Sequence, residues 1–309
     1  MTKNNNTDEA MGLWQSEWIS KDILEFYRVS KIIYLGKTKY QKITVIETLP
    51  YGKCLLLDDK MQSSLKDEYI YHETLVHPAL SMHGNPKRVV VVGGGECATI
   101  REVAKWSSVD EIIMVELDKE VIEITSKYLG ELGHGVLDDP RLRLVIEEGR
   151  KWLSEQPNKS IDVLIIDVTD PLEGGPSYLL FTREFYQLAS QKLKDDGVLA
   201  TQATSPVHNE FVYDSIKKTL ASIFKYVIPL HAFIKSYSSI WGFLFASNKN
   251  ILEIAPDTIK ERLRVNGVSD LKFYAADMHF SLKCIAEKYE CLISSTGRII
   301  EDNSPIFVK

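Results

Sequence analysis

Five acidic residues stand at spacings that could do chemistry on a cation: Glu96, Glu116, Glu148, Asp167 and Asp170. Each follows an apolar run with the length and β-branched content of a buried strand. Glu96 ends "VVVVGGGE", residues 89–96. A glycine-rich turn after a strand often cradles phosphate, and a carboxylate there would repel it. A ligand with phosphates leaves Glu96 misplaced, whereas one with positive charge gives it a purpose. Asp167 and Asp170 close "LIIDVTD" just before the Gly/Pro-rich "PLEGGPSY". Two carboxylates so close at a strand end attract a cation. Plainer readings exist: Glu96 as a helix-start acid on the macrodipole, and Asp170-Pro171 as the start of a turn. The accumulation of five acids from four strand ends favours the cation.

The turn also fits G-x-G-x-x-A through Gly93, Gly95 and Ala98. Glu116 follows at about the 20-residue distance at which an acid can hold ribose hydroxyls. That match alone admits a nicotinamide dehydrogenase or an adenosyl-sulfonium enzyme. Glu96 argues against the first, and no hydride-transfer constellation accompanies it.

These residues need a scaffold that brings strand ends together. From Pro86 onward strand and helix patterns alternate: "RVVVVG", "ATIREVAKW", "EIIMVELD", "KEVIEITSKYL", "LRLVIEEG", "RKWLSEQ", "IDVLIIDVTD", "TREFYQLASQKL", "GVLATQA", "NEFVYDSIKKTLASIF", then the late strands "KYVIPL" and "IWGFLFASN". Near-continuous apolar strands separated by helices predict a parallel sheet covered on both faces. Ligands of such a sheet lie beyond the carboxyl ends of its strands, at the switch point. Before it, residues 28–65 read as a small antiparallel β-domain, and "KDEYIYHETLVHPALSMHG" has helical spacing. The fold class expected is therefore α/β: an N-terminal antiparallel β-domain over residues 1–80, with the first ten residues disordered, then a Rossmann-like, doubly wound sheet of the class I methyltransferase type over 81–309. The tryptophans of "LWQSEWI", Trp14 and Trp18, are expected to pack a core edge, with the lining of a ligand channel as the alternative.

The chain has 309 residues, 44% hydrophobic and 26% charged, with a formal net charge of -6. Short, scattered basic clusters argue against a nucleic-acid partner. No apolar run reaches the roughly 18 residues of a membrane span, and the polar start lacks the apolar core of a signal peptide. Four widely spaced cysteines, Cys54, Cys97, Cys284 and Cys291, read as reduced thiols in a cytoplasmic protein.

Longer motifs are more specific. "KYQ" (39–41), "LLLDDKMQSS" (55–64), "DEYIYHE" (67–73), "GGGE" (93–96), "VELD" (115–118), "EEG" (147–149), "DVTDP" (167–171) and "LFTREFY" (180–186) resemble the polyamine aminopropyltransferases, the spermidine synthase family, over residues 20 to 250. "GGGECATIREV", "DPLEGGPSYLLFT" and "SYSSIWGFLFAS" are most similar to its thermospermine synthase branch.

The resemblance implies a donor, decarboxylated S-adenosylmethionine, acting as a co-substrate, with no metal or redox cofactor. The acceptor would be a polyamine amine: spermidine first, giving thermospermine or spermine, with putrescine the next alternative and agmatine or a longer polyamine after it. It implies Asp167 as the catalytic proton acceptor with Tyr71 beside it. Gln41, Gln62, Glu96, Glu116, Glu148, Gly149 and Pro176 would bind the donor or its methylthioadenosine product. His72, Glu96, Asp170 and Tyr237 would face the polyamine. A mobile loop over the site and a homodimer or homotetramer come with the family. Two departures stand out: Glu148 where most relatives have Asp, and Glu96-Cys97-Ala98 where spermidine synthases usually have Asp and two glycines. A methyltransferase on the same fold and a non-catalytic polyamine-binding protein are the competing readings; the latter would lack Asp167 or Tyr71, and both are present.

Overall fold

The computed structural model describes residues 12–293 and 297–308; the disorder expected for the first ten residues lies outside that range. Five antiparallel strands come first, in sheet order: β1 (Leu13–Ser20), β2 (Ile23–Lys37), β3 (Lys42–Thr48), β4 (Gly52–Leu57) and β5 (Lys60–Ser64). Helix α1 (Glu68–His83) leads into a second sheet through β6 (Arg88–Gly93), α2 (Ala98–Ala104), β7 (Glu111–Glu116), α3 (Lys119–Tyr128), α4 (Gly130–Gly133), β8 (Leu142–Ile146), α5 (Gly149–Glu155) and β9 (Ile161–Asp167). It continues with α6 (Arg183–Lys192), β10 (Leu193–Gln202), α7 (Glu210–Ala221), β11 (Tyr226–Ile234), β12 (Ser239–Ser247), α8 (Pro256–Val265) and α9 (Ala276–Glu290).

The second sheet runs β11-β12-β10-β9-β6-β7-β8. Its five strands β6 to β10 are parallel, and β12 and β11 add an antiparallel edge. Alternate residues feed opposite layers, as strand geometry requires. Val89 and Val91 pack with Leu75 and Leu80 of α1, while Val90 and Val92 pack with Trp152 of α5 and Phe185 of α6. Both faces are dry, hence the unbroken valine and isoleucine runs. The expected fold class is what forms.

Strand β6 has β9 on one side and β7 on the other, so the strand order reverses there, and Gly93 lies opposite Asp167 in register. A Cβ on Gly93, whose φ is +88°, would sit 2.0 Å from the Asp167 carbonyl oxygen. Only glycine lets the turn pass so close. Gly94 N–H then donates to that same carbonyl at 2.8 Å.

The β-domain begins at Leu13 rather than near residue 28, and its first hairpin corrects a second expectation. Trp14 and Trp18 are 45% and 54% exposed, whereas Glu17 between them is 8% exposed. The hairpin has an open face, so β1 buries its acid and leaves both tryptophans half-exposed, Trp18 at the rim of the cleft that it helps to line. On the other side, Ile43, Val45, Leu55 and Leu57 pack against Ala98, Val121 and Leu132, which joins the small sheet to the large one. Helix α1 is buried mainly against α2, β10 and β11. We propose on that ground that the division between the units falls at residues 65–67 rather than after residue 80.

Candidate active site

A cleft opens at the carboxyl ends of β6, β7, β8 and β9 and is closed on its far side by β1, β5 and residues 237–241. Gln41, Gln62, Tyr71, Glu96, Glu116, Glu148, Gly149, Asp167, Asp170, Pro176 and Tyr237 all line it. Eight carboxylates face it, and Lys60 is the single lysine or arginine among its described lining residues.

Asp167 is only 9% exposed. The Tyr71 hydroxyl donates to its Oδ1 at 2.8 Å, and the Thr99 hydroxyl donates to Oδ2. Burial raises its affinity for a proton, as does the negative charge of Glu96; the two hydroxyls and the nearby His72 charge oppose that shift. Tyr71 is itself pushed well up, by burial and by Asp167, so it stays a neutral donor.

Glu96 sits just past the turn, its Oε1 accepting from the Ser63 hydroxyl at 2.7 Å and lying 3.2 Å from His72 Nε2. Burial pushes its carboxyl up, but the His72 hydrogen bond and charge outweigh that and hold it below the usual range. The reverse holds for His72: burial disfavours its charge, yet Glu68 and Glu96 push it up to about 10. His72 itself does not reach the cleft. It is fully buried behind Glu96, with both ring nitrogens engaged by Glu68 and Glu96, so it cannot touch a polyamine as the family pattern suggested.

Asp170 accepts from Gln202 Nε2 and Thr204 Oγ1, both at 3.1 Å. Burial pushes it up to about 6, against those two hydrogen bonds. Glu116 is pushed up to about 7, again by burial, while the Asp118 N–H donates to it at 2.9 Å. Gln41 and Thr38 donate to the Asp118 carboxylate at 3.3 and 2.6 Å, tying the small sheet to the end of β7. Glu148 caps α5, accepting from the backbone N–H groups of Arg150 and Lys151 at 2.9 and 2.7 Å. Gly149 follows because a Cβ there would lie 2.4 Å from Val92 Cγ1. Pro176 rides on the loop 168–177, which Ser177 braces by donating to the Asp170 carbonyl at 3.0 Å. Tyr237 donates to the Gln62 carbonyl, and its ring packs 4.8 Å from Trp241, centroid to centroid.

Sequence reasoning missed several lining or supporting groups: Ser63, Thr99, Gln202, Thr204, Lys60 and Glu17. Glu17 is buried in the cleft wall, accepts from Tyr27 at 3.1 Å and from the Met61 N–H at 3.2 Å, and is pushed up to about 7 by burial. One signal could have found it: a glutamate at the centre of an otherwise aromatic strand, "LWQSEWI".

The family model described as Spermine/spermidine synthase domain matches residues 68–255, and that described as Spermidine synthase tetramerisation domain matches 13–64. The chain belongs to the spermine/spermidine synthase family. Membership makes it a transferase of the aminopropyltransferase type. Among its relatives, "Polyamine aminopropyltransferase 2" of Hyperthermus butylicus is 37% identical over 95% of this chain and 96% of its own. A polyamine aminopropyltransferase of Sulfurisphaera tokodaii is 35% identical, over 96% and 98%. Of solved structures, spermidine synthase in complex with the transition state analogue AdoDATO matches with a TM-score of 0.81 at 33% identity, over 91% of this chain and 95% of that one. Spermidine synthase from Thermotoga maritima gives 0.81 at 32%, with the same coverage.

Proposed function

We propose that this aminopropyltransferase moves the aminopropyl group of decarboxylated S-adenosylmethionine to an amine of spermidine and releases methylthioadenosine. The observation that carries this reading is the charge of the cleft: eight carboxylates against one lysine, with Asp167 buried against Tyr71 between them. A polycationic acceptor and a donor with a sulfonium and an ammonium both suit it.

In this reading Gln41, Gln62, Glu116, Glu148, Gly149 and Pro176 hold the donor's thioadenosine end, and Glu96 meets its aminopropyl ammonium. The abundant methyl donor carries an extra carboxylate there. Unit charges 4 Å apart at an effective dielectric of 20 interact by about 4 kcal/mol. Even part of that, applied as repulsion, disfavours the methyl donor and the methyltransferase reading.

Asp170 and Tyr237 would hold the acceptor. An amine with a lysine-like pKa near ~10.4 pays roughly 4–5 kcal/mol to lose a proton at pH 7. Asp167, with its raised proton affinity, takes that proton as the nitrogen attacks the carbon next to sulfur. The C–N bond forms, the C–S bond breaks, and the pair on sulfur leaves with methylthioadenosine. In-line placement of nitrogen, carbon and sulfur supplies much of the remaining acceleration.

Spermidine is favoured over putrescine because Glu17 adds a further buried carboxylate to the cleft lining, a partner for a third ammonium. The purified protein is incubated with the donor and, separately, putrescine, agmatine and spermidine, and products are separated against spermidine, spermine and thermospermine standards. A tetraamine from spermidine supports the proposal; activity with putrescine alone replaces the acceptor; no methylthioadenosine with any amine ends the reading.

The exposed Leu13, Trp14, Phe26, Ile32 and Leu35 of the first hairpin, on the segment matched by the tetramerisation family model, support a homodimer or homotetramer, checked by light scattering. A cytoplasmic location belongs to the same proposal; among the described residues no helix is long and apolar enough to cross a membrane.

A further inference from the structure

We propose that Glu68 and Arg101 are positioning residues: their buried ion pair keeps both ring nitrogens of His72 protonated, and the imidazolium in turn fixes the Glu96 carboxylate at the donor end of the cleft. The inference rests on the reading that Glu96 meets the donor's ammonium.

The hydrogen-bond pattern carries the argument. His72 Nδ1 lies 2.8 Å from the Glu68 carbonyl oxygen and 2.9 Å from Glu68 Oε2. Both are acceptors, so Nδ1 bears a proton. Glu68 is ionised because Arg101 grips it through two nitrogens, Nη1 to Oε1 at 3.1 Å and Nη2 to Oε2 at 2.8 Å. On the other side, Nε2 faces Glu96 Oε1 at 3.2 Å. A neutral ring would turn a lone pair toward that oxygen, while a doubly protonated ring donates to it.

The charged and titratable groups around the ring are few. Glu68 and Tyr71 come from α1, Arg101 from α2, Glu96 from the glycine turn and Asp167 from β9. Arg101 is anchored by the Leu132 carbonyl at 2.6 Å and by Glu102 at 2.7 Å, so it cannot swing away. Burial pushes Glu68 up, but His72 and Arg101 win and take it down to about 2.

One oxygen of Glu96 is thus occupied by His72 and Ser63, and among the described residues no side-chain hydrogen bond engages the other, on a residue that lines the cleft. A buried carboxylate without a cation behind it would take up a proton and lose its grip on an ammonium. The chain Arg101–Glu68–His72 supplies that cation from outside the cleft, where no substrate can displace it.

The test replaces Glu68 with Gln, which has the same size and an oxygen able to accept from Nδ1, but no charge. With one counter-charge gone, the His72 ionisation falls into the working range. Glu68→Gln is expected to lose about tenfold in kcat/KM for decarboxylated S-adenosylmethionine near pH 8.5, to recover toward pH 6.5, and to keep the acceptor KM within about twofold. Wild type shows no such descending limb. A uniform loss at every pH, or a loss shared by donor and acceptor, overturns the proposal. A second measurement needs no turnover. The ring nitrogens of His72, assigned against a His72→Gln control, are followed by NMR in the wild-type protein. An imidazolium persisting to pH 9 supports the proposal, and a neutral ring at pH 7.5 overturns it. Failure of the aminopropyltransferase reading appears separately, as wild type releasing no methylthioadenosine.

Discussion

Two parts of the cleft hold buried carboxylates in opposite ways. At the glycine turn, Glu96 has a fully buried cation behind it and stays ionised. Away from the turn, Asp170 leans on an amide and a hydroxyl, and Glu17 on a phenol and a backbone N–H, with the Lys60 charge, whose ammonium donates to the Trp18 carbonyl, adding a weaker attraction to both. Neutral donors stabilise a carboxylate less than a counter-ion does, so burial wins there, at about 6 and about 7. The turn wall is charged before any ligand arrives. Asp170 and Glu17 become fully charged when a cation binds close to them. Such an arrangement fits a donor recognised by one fixed charge and an acceptor that must shed a proton in place.

Four experiments press on that difference. Asp167→Asn removes the proton acceptor while keeping a group that Tyr71 and Thr99 can still meet, and turnover should fall about 10²- to 10⁴-fold with the fold intact. Methylthioadenosine release measures it, and an activity loss under tenfold would take the proton-acceptor role from Asp167. Next in size, Glu96→Gln should cost about 10- to 100-fold in kcat/KM for the donor, a fraction of the ~4 kcal/mol available to a close charge pair. It should also improve binding of the carboxylated methyl donor, which calorimetry would show. Unchanged discrimination would mean the turn wall does not select charge.

Asp170 provides the pH arm. Its carboxyl is raised to about 6, so it is ionised above that pH and protonated below. The acceptor KM should therefore rise as pH falls from 7 to 5, and Asp170→Asn should flatten that limb at a KM about tenfold higher. An unaltered limb in the variant would assign it to another group, with Glu17 the first to examine. The smallest effect is expected from Glu17→Gln: less than about tenfold, and greater for a triamine than for a diamine, because only the longer acceptor has a charge to spare for it. Equal effects on both acceptors would remove Glu17 from acceptor selection.

Much of this was legible in the residues. Strands β6, β7 and β9 announce themselves as valine and isoleucine runs because both faces of that sheet are dry. Their carboxyl ends therefore locate Glu96, Glu116 and Asp167 without coordinates. Strand β1 was not legible: an open-faced hairpin inverts the usual pattern, and its exposed tryptophans read as core. His72 misled for a related reason. Its position beside Tyr71 on α1 suggests one shared face, but successive helical residues point about 100° apart. Tyr71 reaches the cleft and His72 turns behind Glu96. Thr99, Gln202 and Thr204 are common residue types in unremarkable contexts, and only their distances from Asp167 and Asp170 single them out.

By itself the sequence determined the alternation of strands and helices, the glycine turn and the acidic residues that end each strand, because hydrophobic period and local turn chemistry are properties of adjacent residues. Tertiary structure decided which of those acids carry charge. That depends on whether a cation or a neutral donor stands behind each one, and the partners come from far along the chain: Arg101 and Glu68 are 33 residues apart, and Asp170 and Thr204 are 34 apart.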